Sequence, residues 1–151
     1  GMTKGALAGY PVVGTKVTVY DGSSHDVDSS EMAFKIAAAR AFADGMSKAR
    51  AVLLEPIMKV KIMIPDQYMG DITGDLNHKR GRILGMGAED GMQVITAEVP
   101  QAETFRYASE LRSITGGRGS FETEFSRYDV VPANVAQKLI AEAQKHKQEE
   151  E

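Results

Sequence analysis

Apolar residues recur at helical spacing from Met32 through Ile36, Ala39 and Ala43 to Met46, and Phe34, Ala38 and Phe42 widen the stripe. That period predicts an amphipathic helix. It starts near Asp28 or Ser29, where Asp28 and Glu31 are spaced like a capping box. Lys48 and Arg50 carry positive charge near its C-terminal end, where the helix dipole favours it. Ahead of the helix, Thr15–Tyr20 is rich in β-branched and aromatic residues and predicts a strand. Asp21-Gly22-Ser23-Ser24-His25-Asp26 is turn chemistry. The arm from Gly1 to Gly14 is rich in glycine.

A new pattern begins near Leu53. From Ile57 to Ile64 the chain alternates, with Met58, Val60, Ile62 and Ile64 on one face and Lys59 and Lys61 on the other, which predicts a half-buried strand. Pro65-Asp66 opens a helix carrying Tyr68, Met69, Ile72 and Leu76. Gly70 and Gly74 leave one of its faces bare, which predicts a close packing contact there, and Gly81 ends it. Arg82–Met86 and Met92–Val99 are strands around the loop Gly87–Gly91, and Ile95, Ala97 and Val99 point inward. Pro100 precedes a helix with Phe105, Tyr107, Ala108, Leu111 and Ile114 as its stripe. Ser120–Ser126 is a strand with Phe121, Thr123 and Phe125 inward, and a last helix after Pro132 uses Val135, Leu139 and Ile140.

The order from Leu53 to Val130 is β-α-β-β-α-β. With right-handed crossovers it folds as an α+β, ferredoxin-like sandwich, two helices on one face of a four-stranded antiparallel sheet. The first and last strands become neighbours, so Lys59 and Lys61 should share the open face with Glu122 and Glu124 and attract them across the ladder. The expected divisions are 1–52, 53–132, and a C-terminal helix with solvated tail over 133–151.

Charge and composition narrow the function. Eighteen Lys+Arg against 21 Asp+Glu leave a net charge of −3, which argues against a globally basic nucleic-acid binder but leaves room for a local patch. Cysteine is absent, which excludes thiolate catalysis and Cys-ligated zinc and fits a reducing cytoplasm. No apolar run approaches the roughly 20 residues of a membrane span, so no membrane partner is expected.

The common catalytic signatures are missing. There is no phosphate-binding loop of the G-x-x-x-x-G-K-[ST] kind. Gly116-Gly117-Arg118-Gly119 joins a helix to a strand, and reads either as a helix C-cap or as a loop offering Arg118 to a phosphate. The carboxylates from Asp21 to Glu31 fail the calcium-loop pattern, and His25, His78 and His146 show no ligand spacing, so no metal is expected. Asn77-His78-Lys79-Arg80-Gly81-Arg82 is the densest basic stretch, readable as helix-end cations or as a phosphate-backbone contact. A sheet that reads RNA by stacking needs aromatics on its central strands, and Met92–Val99 has none. Met58, Met63, Met86 and Met92 read as core filler.

The segments Leu7–Val13, His25–Lys35, Leu53–Met58, Tyr68–Asp71, Gly74–Asn77 and Leu111–Ser113 with Thr115, Gly117 and Arg118 follow one another as in bacterial translation elongation factor G. The resemblance runs from about Leu7 to about Ile140. It implies the end of domain IV, a partial ribosomal-protein-S5-like β-α half-domain, followed by all of domain V. The chain departs from the family pattern at Ser24, at His78-Lys79 and at Arg106.

The resemblance implies a ribosome-binding portion of a GTPase that moves tRNA and mRNA, with the GTP and magnesium site in an N-terminal domain that this chain lacks. By itself the segment is then no enzyme and carries no cofactor. Gly22, Ser23, Ser24, His25 and Asp26 match the tip that touches tRNA and mRNA in the decoding centre, with His25 at the functional histidine. His78, Lys79, Arg80, Arg82 and Arg118 are the expected contacts to ribosomal RNA, with ribosomal proteins as further partners. The truncated N-terminal half-domain, its strand short of neighbours, is expected either to be disordered before about Thr15 or to self-associate through this strand and helix. A paralogue acting in ribosome recycling and a tetracycline-protection relative share these features. A different class of reading is a stand-alone ferredoxin-like module that binds a small molecule, or an acylphosphatase-like hydrolase on the same fold. The hydrolase lacks its phosphate loop, and neither accounts for the matches before Leu53.

Overall fold

The computed structural model describes residues 2, 4–5, 7–23, 25–26 and 29–149. They fall into two compact units, Leu54–Val130 and Gly1–Leu53 with Val131–Glu151.

The Leu54–Val130 unit is the expected sandwich. Strands β1 (Leu54–Ile64), β2 (Arg82–Glu89), β3 (Met92–Pro100) and β4 (Ser120–Val130) form one antiparallel sheet in the order β2-β3-β1-β4, and helices α2 (Met69–His78) and α3 (Tyr107–Thr115) supply its cover. Short 3-10 turns, Asp66–Tyr68 and Gln101–Glu103, lead toward each helix. Val60, Ile62 and Ile64 of β1, Ile95, Ala97 and Val99 of β3, Ile72 and Leu76 of α2, and Tyr107 and Leu111 of α3 make one buried cluster. The alternation read from the sequence is therefore the sheet's inner face. Asp90 and Gly91 join β2 to β3 with φ of 52° and 77°, the left-handed pair that a two-residue hairpin turn requires.

Several expectations fail at the margins of this sheet. Met58 stands opposite Phe125, and Val60 opposite Thr123, so these residues do share the inner face. Yet Phe125 is 55% exposed, and Thr123 is exposed as well, because β4 is an edge strand and the buried cluster stops at Phe121. Phe125 packs instead on Tyr128, ring centroids 5.3 Å apart. Met86, opposite Ile95 on the other edge, is likewise exposed rather than core filler. Phe105 precedes α3 and is exposed, as is Ala108, whereas Thr115 is fully buried. The Thr115 hydroxyl donates to the Leu111 carbonyl at 2.7 Å and accepts from the Gly119 amide at 2.9 Å, so its burial leaves no polar atom wanting. Gly70 and Gly74 face open space, and no close packing contact explains them. Close approach occurs at Gly81 instead, where a Cβ would lie 2.7 Å from the Leu76 carbonyl oxygen.

On the open face, Lys59 stands opposite Glu124 and Lys61 opposite Glu122, as expected from the strand order. Lys59 reaches Glu124 at 3.8 Å, but Lys61 turns to Glu89 of β2 at 3.3 Å.

In the other unit, Thr15–Tyr20 forms no strand, which corrects the reading from composition. Its residues find no ladder partner among the described residues, and Val17, Val19 and Tyr20 are exposed. Strand propensity is realised only through pairing and packing. Near the start of the chain, bonds from the Gly5 amide to the Tyr10 carbonyl (2.8 Å) and from the Val12 amide to the Met2 carbonyl (2.7 Å) close a turn. Helix α1 (Glu31–Lys48) follows the predicted period, but its stripe buries no residue, and Met32, Phe34 and Ile36 are exposed. Its cap is Ser30, not Asp28 or Ser29; Asp28 itself lies outside the described residues. Helix α4 (Ala133–Glu149) half-buries Val135, Leu139 and Ile140.

Candidate nucleic-acid interface

The first cluster is the loop before α1. Gly22, Ser23, His25 and Asp26 are all exposed, and Ser24 lies outside the described residues. The loop is held at both ends by short-range bonds. The Gly22 amide donates to Asp21 Oδ1 at 2.8 Å. The His25 amide donates to Ser29 Oγ at 2.6 Å, and the Ser29 amide returns a bond to the His25 carbonyl at 3.0 Å. Ser30 then starts the helix, its Oγ accepting from the Ala33 amide at 3.1 Å. An exposed imidazole on such a loop can hydrogen-bond a phosphate or a ribose hydroxyl, or stack on an unpaired base.

The second cluster is the basic stretch after α2, and the structure divides it by role. His78 and Arg82 are exposed. Lys79 is drawn into a bridge between α2 and α3, 3.1 Å from Asp75 and 2.6 Å from Glu110, with its side chain only 12% exposed. Arg80 occupies left-handed backbone, φ 57°, and its guanidinium forks onto both Glu55 carboxylate oxygens at 2.7 and 3.1 Å, with Glu103 at 3.9 Å. That bidentate pair spans 25 residues of sequence, so nothing local in the sequence announced it. The Asp75–Lys79 pair has helical i,i+4 spacing and was legible. Both cations are therefore neutralised by carboxylates of their own unit.

Arg118 behaves differently. Gly116 caps α3 in left-handed backbone, φ 61°, so the C-cap reading of the glycine loop holds. Arg118 extends from that loop, lies 5.1 Å over the Tyr68 ring centroid, and donates to the Tyr68 hydroxyl. Hydrogen bonding by Gln67, and next by Arg118, lowers the Tyr68 phenol from its ordinary value. A guanidinium resting on an aromatic face is pre-organised for phosphate or base contact. Periodicity places Tyr68 in a helix stripe, whereas its partnership with Arg118 crosses 50 residues of sequence.

Beneath the Lys79 bridge lies Tyr107, edge-on to Phe121 with ring centroids 5.0 Å apart. Its hydroxyl finds no hydrogen-bond partner among the described residues. Burial, and then the charges of Asp75 and Glu110, push its phenol well above the ordinary value. Burial pulls the Lys79 ammonium down, but its bonds to Glu110 and Asp75 outweigh that and leave it raised. The pH dependence follows from these signs. The contribution of Lys79 is fully present below its unfolded value of about 10.4 and is lost as pH rises through the raised folded value. Above a pH of about 10 the unfolded chain also ionises Tyr107 while the folded chain holds its proton, which again favours unfolding. Stability of this unit should fall in the alkaline range. Tyr107→Phe should flatten that fall and change neutral-pH stability by less than about 1 kcal/mol. Denaturant melts between pH 7 and 11 check this; an unchanged alkaline limb in the variant would contradict it.

Among the described residues no cluster of three or more His, Cys, Asp or Glu could hold a metal, and no helix is long and apolar enough to cross a membrane.

Fold and clusters together define an α+β protein: a ferredoxin-like unit preceded in sequence by a loop-and-helix segment bearing an exposed histidine. Residues 52–139 match the family Elongation factor G C-terminus, and residues 1–50 match Elongation factor G, domain IV. The chain belongs to the elongation factor G family and matches these two domains of it. A crystal structure of a protein from Thermus thermophilus is similar over 95% of this chain, at 48% identity and a TM-score of 0.81. The chain spans 22% of the length of that protein.

Proposed function

We propose that this segment is the ribosome-engaging end of an elongation factor G that promotes GTP-dependent movement of tRNA and mRNA in the cytoplasm. GTP and magnesium belong to another domain of the parent protein. The observation that carries the reading is the His25 loop: it is exposed, tied to the start of a capped helix, and lies within the domain IV match. Its role is to contact tRNA and mRNA in the decoding centre, with Gly22, Ser23, Ser24 and Asp26 as the further contacts beside His25. Ribosomal RNA is contacted by His78, Arg82 and Arg118, while Lys79 and Arg80 shape the corner after α2 through their carboxylate partners. Arg118 supports this best, since Tyr68 pre-sets its guanidinium.

The test replaces the matching C-terminal residues of a well-behaved elongation factor G, and no others, with this segment. The chimera should translocate tRNA and mRNA in a reconstituted ribosome assay. Ribosome splitting with recycling factor, without translocation, would favour the recycling paralogue; activity in neither assay would overturn the reading.

A further inference from the structure

Two consecutive serines stand before α1, and they do different work. Ser30 serves the helix, accepting from the Ala33 amide while its carbonyl receives the Phe34 amide at 3.0 Å. The Ser29 hydroxyl makes no such bond to α1. It accepts from the His25 amide at 2.6 Å, and the Ser29 amide donates to the His25 carbonyl at 3.0 Å. Both backbone polar groups of His25 are thus engaged by one residue. Ser29 is half-buried, while Gly22, Ser23, His25, Asp26 and Ser30 are exposed.

We infer that Ser29 is a positioning residue: it clamps the His25 backbone to the capped start of α1 and so presents the imidazole already ordered to its nucleic-acid partner. The inference rests on the role proposed above for His25. Its physical content is pre-organisation. A histidine on an unclamped loop must be ordered during binding, at a cost that reduces the rate or affinity of productive contact. Alanine at 29 keeps the backbone bond to the His25 carbonyl but leaves the His25 amide to water. Threonine keeps the oxygen.

The test is a double-mutant cycle in an elongation factor G carrying this segment, read by single-turnover translocation. Ser29→Ala should slow translocation about fivefold, the scale expected for losing a capping hydroxyl. Ser29→Thr should stay within about twofold of the parent. Ser29→Ala combined with His25→Ala should be no slower than His25→Ala alone, because a clamp has nothing left to position. In the 151-residue chain itself, Ser29→Ala should speed hydrogen exchange at the His25 amide. Full-rate Ser29→Ala, failure of Ser29→Thr to restore the rate, additive slowing, or unchanged exchange at His25 would overturn the inference while leaving the His25 reading intact. Full-rate His25→Ala would remove both.

Discussion

Ile62→Ala should destabilise the Leu54–Val130 unit by about 3 kcal/mol, within the range of roughly 2–5 kcal/mol for aliphatic truncations in a packed core. Ile62 is fully buried on the strand that lies between β3 and β4, opposite Ile95 on one side and Phe121 on the other. Its truncation therefore opens a cavity that both neighbouring strands would have to move to fill. A loss of that size is a large share of the roughly 5–15 kcal/mol that holds an ordinary domain. Phe125→Ala makes the contrast. By alternation Phe125 is an equal member of the inner face, but it is 55% exposed on the edge strand, so its loss should cost less than about 1 kcal/mol. Urea denaturation of the two variants separates the cases. Equal losses would mean that the core extends along β4 beyond Phe121.

That contrast shows where sequence reasoning reached and where it stopped. Period-2 alternation identified the inner faces of β1 and β3 because those strands lie at the centre of the sheet, where from Val60 to Ile64 and from Ile95 to Val99 face and burial coincide. On the edge strand β4 the face was right and the burial wrong, since alternation reports which way a side chain points and not what lies over it. Phe125 fails for that reason, and Met86, read as core filler, fails because β2 is also an edge strand. Thr15–Tyr20 fails for a related one: β-branched composition expresses a preference for pairing, and no partner lies among the described residues. The bare face at Gly70 and Gly74 misled in the opposite sense, since small residues permit a close contact without requiring it.

The candidate site was legible as residue types and not as partnerships. His25 in a glycine- and serine-rich turn stands out in one dimension. The sorting of the basic stretch does not, because Arg80 finds Glu55, Lys79 finds Glu110 and Arg118 finds Tyr68 only after the sheet has brought distant segments together.

The second large effect belongs to His25. His25→Ala removes an exposed side chain whose backbone bonds to Ser29 remain available, so stability should change by no more than about 0.5 kcal/mol. Translocation should slow about tenfold, the equivalent of one lost contact of about 1.4 kcal/mol in the rate-limiting complex. Large kinetic loss at constant stability is the signature of a contact residue, and it distinguishes His25 from Ile62, whose truncation acts through folding. His25→Gln, which keeps a donor and an acceptor of similar reach, should recover part of the rate.

The role of His25 is measured most directly by single-turnover translocation with an elongation factor G carrying this segment, with and without His25→Ala, at factor concentrations that saturate the ribosome. The variant should still bind and turn over GTP on the ribosome but move tRNA and mRNA about tenfold more slowly. Movement at the parent's rate would contradict it.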